Sequence, residues 1–159
     1  MSRQLWMLRH GEAEPHGTRP DAERRLTDRG HQQAVAAGLA LARLDLTFAA
    51  VFTSPKVRAH GTATDAARAL GTDVVLHGPL ADGFDADEAR TLLAAADDGE
   101  RILVVGHEPD FSNVVQALTG GTVDFKKGGV AAVRLEGAHA RGELIALLRP
   151  RELAALAQA

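Results

Sequence analysis

The chain has no cysteine and no tyrosine, and aromatic residues make up only 4% of its 159 positions. Without cysteine there is no disulfide, no thiol nucleophile and no thiolate metal site, which fits a reducing cytoplasm. So few aromatic rings leave little material for base-stacking platforms or aromatic cages. At the N-terminus the apolar run Leu5 to Leu8 is too short for a signal segment or a membrane span. A basic excess is also lacking: the net charge is −3, which argues against a general nucleic-acid binder. Any anion site must therefore be local. The expectation is a soluble protein whose residues 1–159 form one domain, monomeric and acting away from nucleic acid and membrane.

What the chain does contain is an alternation of strand and helix signals. Gln4 to Leu8 predicts a strand ending in Arg9-His10-Gly11, and the charged, Gly- and Pro-containing segment from Glu12 to Arg25 predicts a long surface loop. Thr27 caps a predicted helix from Asp28 to Arg43 whose apolar face carries Val35, Leu39 and Ala42. Residues 49–53 predict a second strand. Ser54-Pro55 then reads as a capping hydroxyl followed by a first-turn proline, opening a helix that stops before Gly71.

A third strand is predicted at Val74 to Leu76, followed by a loop and by a helix from Asp85 to about Ala96, with Asp85 and Glu88 as a capping box. Arg101 to Val105 reads as a central strand buried on both faces. A helix follows from Phe111 or Ser112 to Leu118, then two pairing strands at 130–135 and 143–148, and a terminal helix from Pro150. The fold class is α/β, a three-layer domain with a mainly parallel sheet and an antiparallel edge.

In open α/β sheets, ligands bind beyond the carboxyl ends of the strands. Three such ends carry chemistry: Arg9 and His10 after the first strand, Ser54 and then Arg58 after the second, and His107 after the fourth. If those strands are neighbours, two arginines and two histidines converge without a carboxylate cluster suited to hard metals. Guanidinium forks match phosphate oxygens, and an imidazole can serve as a nucleophile.

At these residues the chain resembles the histidine phosphatase superfamily, and within it the small SixA-type phosphohistidine phosphatases. The similar stretches are Arg9-His10-Gly11, Leu26-Thr27-Asp28-Arg29-Gly30, Thr53 to Ala63, and Val105 to Phe111. They span nearly the full chain in order. The resemblance implies a phosphoglycerate mutase-like fold and a covalent route needing no metal or other cofactor. In that route His10 takes the phosphoryl group, Arg9 and Arg58 clamp its oxygens, and His107 adds a donor. The larger members supply a glutamate acid after the strand matching Val74 to Leu76. Here the chain is short and offers Asp82, the candidate general acid, since Asp85 reads as a cap. The implied partner is a histidine-phosphorylated protein, because a phosphorylated imidazole leaves more easily than an alkoxide. The alternatives are a phosphomonoesterase acting on phosphoserine, phosphothreonine or a small metabolite, and a phosphate-recognition module without turnover.

Other residues have blander readings. Ser54 reads as a cap rather than a nucleophile, and Glu12 either orients His10 or a water, or is only solvated. His16, His31, His60, His77 and His139 lack metal-site spacing. Arg19, Arg24 and Arg25 read as a solvated face, and the Lys126-Lys127-Gly128-Gly129 turn as a bystander.

Overall fold

The first strand, β1 (Arg3–Arg9), alternates its buried side chains, sending Leu5 and Met7 to one core and Trp6 and Leu8 to the other. A strand buried on both faces belongs in the middle of a sheet, and β1 is placed there. The computed structural model, which describes residues 2–137 and 140–159, has one six-stranded sheet. His139 lies outside the described residues. The other strands are β2 (Ala50–Thr53), β3 (Val74–Leu76), β4 (Arg101–Gly106), β5 (Val130–Leu135) and β6 (Glu143–Leu148), in the spatial order β3-β2-β4-β1-β5-β6. The first four of that order are parallel. β5 runs against β1 and against β6, so the antiparallel pairing lies at the edge, and the reversed strand is one place in from it.

Helices cover both faces. On one side α3 (Ala86–Ala94) and α4 (Asp110–Thr119) enclose a core of Leu5, Met7, Val104 and Phe111. On the other, α1 (Asp28–Arg43), α2 (Val57–Leu70) and α5 (Pro150–Ala157) enclose Trp6, Leu8, Leu41 and Val105. The local signals act as their chemistry requires. The Thr27 hydroxyl accepts from the Gly30 amide at 3.1 Å, and Asp85 accepts from the Glu88 amide at 2.9 Å. Gly71 and Gly120 end α2 and α4 at positive φ, where a side chain would be strained. No helix among the described residues is long and apolar enough to cross a membrane.

Two local expectations are corrected. The buried face of α1 is not Val35 and Leu39, which are 41% and 39% exposed; it is Ala34, Ala37, Gly38 and Leu41. The reason is close approach: a Cβ on Gly38 would sit 2.3 Å from the Ala66 carbonyl oxygen of α2. Small residues face the α2 seam, and Val35 and Leu39 are turned outward. The second correction concerns α2, which begins at Val57 with Lys56 as its cap residue rather than Ser54. The Ser54 hydroxyl accepts from the Lys56 amide at 3.1 Å inside the turn that leads to the helix.

Candidate active site

Strands β2, β4 and β1 are neighbours, so the three sequence-predicted ends meet. The Ser54 amide donates to Val105 O at 3.0 Å and the His10 amide to Gly106 O at 3.0 Å, extending the parallel ladder past the strands. Arg9, His10, Arg58 and His107 line one cleft of about 320 Å³ with Glu14, Arg24, Glu108 and Lys127. His10 and His107 are each 6% exposed and Arg58 5%, and the two imidazoles lie 5.3 Å apart at a 52° tilt.

The triplet after β1 is braced from three sides. The Gly128 amide donates to the carbonyls of both Arg9 and His10, at 3.1 and 3.0 Å, so the turn at 126–129 supports the triplet directly. The Gly11 amide donates to the Thr62 hydroxyl of α2 at 3.1 Å, and that hydroxyl donates to Arg58 O at 2.7 Å. Gly11 is required for packing as well: a Cβ there would stand 2.6 Å from the Gly30 carbonyl oxygen at the start of α1.

His10 Nδ1 lies 2.7 Å from its neighbour's carbonyl oxygen, Gly11 O. A carbonyl oxygen only accepts, so the ring proton sits on Nδ1 and the Nε2 lone pair is free. Burial, with Arg58, Arg9 and Lys127 nearby, outweighs the carbonyl bond and lowers the His10 pKa to about 4. At neutral pH the ring is uncharged.

The cations are anchored by acceptors. Arg9 Nη1 donates to Phe125 O at 2.6 Å, and burial pushes its pKa down against the pull of Glu108 and Asp124. Arg58 donates through Nη1 to Asp21 O at 2.7 Å and through Nη2 to Asp21 Oδ2 at 3.3 Å. The same carboxylate meets Lys56 at 3.3 Å and Arg24 at 3.1 Å. Desolvation would raise the Asp21 pKa, but Arg58, Lys56 and Arg24 together hold it well below the usual carboxylate range. Arg9 Nε, Arg58 Nε and His107 Nδ1 are buried and make no hydrogen bond among the described residues. Buried polar groups are rarely left so, and three around one cleft suit an anionic ligand.

His107 approaches from β4 with Nε2 2.8 Å from Ser54 Oγ. Burial first, then His10, Arg58 and Lys56, lower its pKa to about 3. Asp82 is exposed and is not among the residues lining the cleft, although the next residue, Gly83, donates its amide to Asp110 Oδ2 at the start of α4. The Glu12 carboxylate is 3.5 Å from Arg29. His16 stands at the rim, exposed, whereas His31 pairs with Asp65 at 2.6 Å and His77 lies 3.5 Å from Glu88. The sequence reading missed Asp21, Thr62, Arg24, Lys127 and the second contact of Ser54. Each depends on a tertiary contact; Ser54, Arg24 and Lys127 are legible in sequence only as a cap, a solvated face and a bystander turn, whereas Arg24 is buried and lines the cleft with Lys127.

Comparison with known proteins gives the family and the fold. The family model for the histidine phosphatase superfamily (branch 1) matches residues 5–91, which include Arg9, His10, Arg58 and Asp82 and stop short of His107. An uncharacterized protein of Picosynechococcus sp. is 31% identical, over 94% of this chain and 98% of its own. Among solved structures, the protein histidine phosphatase SixA complexed with tungstate superposes with a TM-score of 0.83 at 23% identity, over 94% of this chain and 99% of that one. A phosphoserine phosphatase mutant of Entamoeba histolytica in complex with phosphoserine superposes at 0.73 with 16% identity, over 95% and 99%. With the family model covering more than half of its length and the fold shared along nearly all of it, this chain belongs to the histidine phosphatase superfamily.

Proposed function

We propose that the protein is a phosphatase that carries the phosphoryl group on His10 Nε2, with a phosphohistidine side chain of a partner protein as its preferred substrate. The observation that carries the reading is the neutral His10 ring, its Nδ1 proton committed to Gly11 O. Nε2 is the nucleophile at neutral pH without a separate base.

In the first step the Nε2 lone pair forms a bond to phosphorus as the bond to the leaving nitrogen breaks. A leaving imidazole already protonated at its other nitrogen departs as a neutral ring. In the second step water attacks phosphorus, the bond to Nε2 breaks, and the water proton passes to solvent, yielding inorganic phosphate. Arg9 and Arg58 hold the non-bridging oxygens, and His107 donates to the same group. Side chains alone carry the reaction, chiefly through positioning and electrostatics, with no metal or other cofactor.

The substrate preference follows from the leaving group. An alkoxide needs a proton in the transition state, whereas the neutral imidazole does not. Of the carboxylates lining the cleft, Glu14 accepts from the Arg25 amide first and from Arg19, which push its pKa down, and Glu108 accepts from the Ser112 amide at 2.7 Å. Glu14 is thus held as a carboxylate, and Glu108 is engaged by the first turn of α4. The runner-up is a phosphomonoesterase using Asp82 as acid, favoured by the tie between the Asp82 loop and α4. Rates on phosphohistidine and phosphoserine proteins separate the two. The expected result is faster turnover of phosphohistidine, changed less than about threefold in Asp82→Asn. Faster ester hydrolysis that collapses about a hundredfold in that variant would favour the runner-up. Phosphate binding with no turnover of either would instead indicate a recognition module.

A further inference from the structure

We infer that Ser54 is a positioning residue whose hydroxyl fixes the tautomer of His107, so that Nδ1–H is the donor offered to the phosphoryl oxygens. The inference rests on the phosphatase reading above and adds a residue that it does not contain.

The hydrogen bonds around Ser54 determine the direction of the contact. Its side chain is fully buried, with Oγ 3.1 Å from the Lys56 backbone nitrogen and 2.8 Å from His107 Nε2. A backbone N–H only donates, so Oγ accepts from Lys56 and retains one proton to give. His107 Nε2 is its acceptor. Nε2 then carries the lone pair, and the ring proton lies on Nδ1, the buried nitrogen without a partner among the described residues. The reverse arrangement, with Nε2–H donating to Oγ, strands the serine proton without an acceptor among the described residues. It would also turn a bare lone pair on Nδ1 towards anionic oxygens. Both errors are costly in a buried site.

The tautomer matters because His107 holds a single proton. Burial and the cations around it, Arg58 and Lys56, keep it uncharged at neutral pH, so only one ring nitrogen can donate. A free histidine side chain prefers that proton on Nε2, and the serine overrides this preference. Register brings the two together: Thr53 pairs with Val105 across β2 and β4, and Ser54 and His107 lie just beyond that pair. The hydroxyl that reads as a helix cap is therefore shared between a turn and an imidazole.

The test is the ¹⁵N spectrum of the full chain at neutral pH, with His107 assigned by its loss in His107→Gln. The expected wild-type pattern is Nδ1 protonated and Nε2 bare. In Ser54→Ala the proton moves towards Nε2, and kcat falls about ten- to a hundredfold with KM nearly unchanged, less than the loss of a whole oxyanion donor. Ser54→Thr, which keeps the hydroxyl, restores both readings. A wild-type spectrum with Nε2 protonated overturns the inference even if Ser54→Ala does not fold, as does an unchanged tautomer in a folded Ser54→Ala. An inactive wild type with Nδ1 protonated would instead sink the phosphatase reading and leave the tautomer assignment standing.

Discussion

The floor of the cleft and its rim are built differently. On the floor, His10, His107 and Arg58 are nearly inaccessible, and each is fixed by a partner: His10 by the adjacent Gly11 O, and His107 and Arg58 by Ser54 Oγ and Asp21 O from other elements. Behind them the Thr62 hydroxyl and the Gly128 amide tie the triplet to α2 and to the turn before β5. The rim, on the loop of residues 12–25, is mostly exposed and held by ion pairs such as Arg19 to Glu14 at 2.9 Å. Exposed pairs of that kind contribute about 0–1 kcal/mol. Under the proposed function the difference separates two tasks: the floor is preorganised for a phosphoryl group, and the rim is free to suit whatever carries it.

The sharpest break of that comparison is between two histidines of the same cleft. His10→Ala on the floor is expected to lower kcat by on the order of 10⁴-fold or more, and His16→Ala at the rim by less than about twofold. Steady-state rates on a phosphohistidine protein read both, and comparable losses would erase the distinction. The next effect comes from guanidinium geometry. Arg58→Lys replaces a buried fork by a point charge and should cost about a hundredfold in kcat/KM, whereas Arg19→Lys at the rim should cost almost nothing.

A third contrast lies in pH dependence. Folded His10 takes a proton near pH 4 and His107 near 3, while unfolded histidines take theirs near 6.5. Across that interval the unfolded chain binds more protons, so stability falls as pH drops from about 6.5 towards 4, by a few kcal/mol in all. Asp21, with its carboxyl held low, adds a further loss once pH falls below its ordinary value near 4. Chemical denaturation from pH 7 to 4 should show the slope, reduced in His10→Asn and unchanged in His16→Asn. The acid limb of kcat/KM should lie near pH 4; a limb near 6.5 would mean that the floor does not desolvate His10.

Much of this architecture was legible from local chemistry. Thr27 and Asp85 announce their helices because a capping oxygen acts within three residues, and strand ends carrying Arg9, His10 and His107 need only the doubly wound rule to be placed together. What escaped was set by distant contacts. Asp21 meets Arg58 across 37 residues of sequence, and Thr62 meets Gly11 across 51. The α1 face was misjudged because hydrophobicity points to Val35 and Leu39, while the approach of Gly38 to the Ala66 backbone admits only small side chains. The need for glycine at position 11 is likewise set at a distance, by the backbone of Gly30.

The central claim is that the phosphoryl group rests on His10 Nε2. Rapid-quench reaction with a phosphorylated histidine protein, followed by peptide mapping of acid-labile phosphate and ³¹P spectroscopy, tests it directly. The account predicts label on the His10 peptide, attached at Nε2 and absent in His10→Ala. Label on another residue, or turnover persisting in His10→Ala, would contradict it.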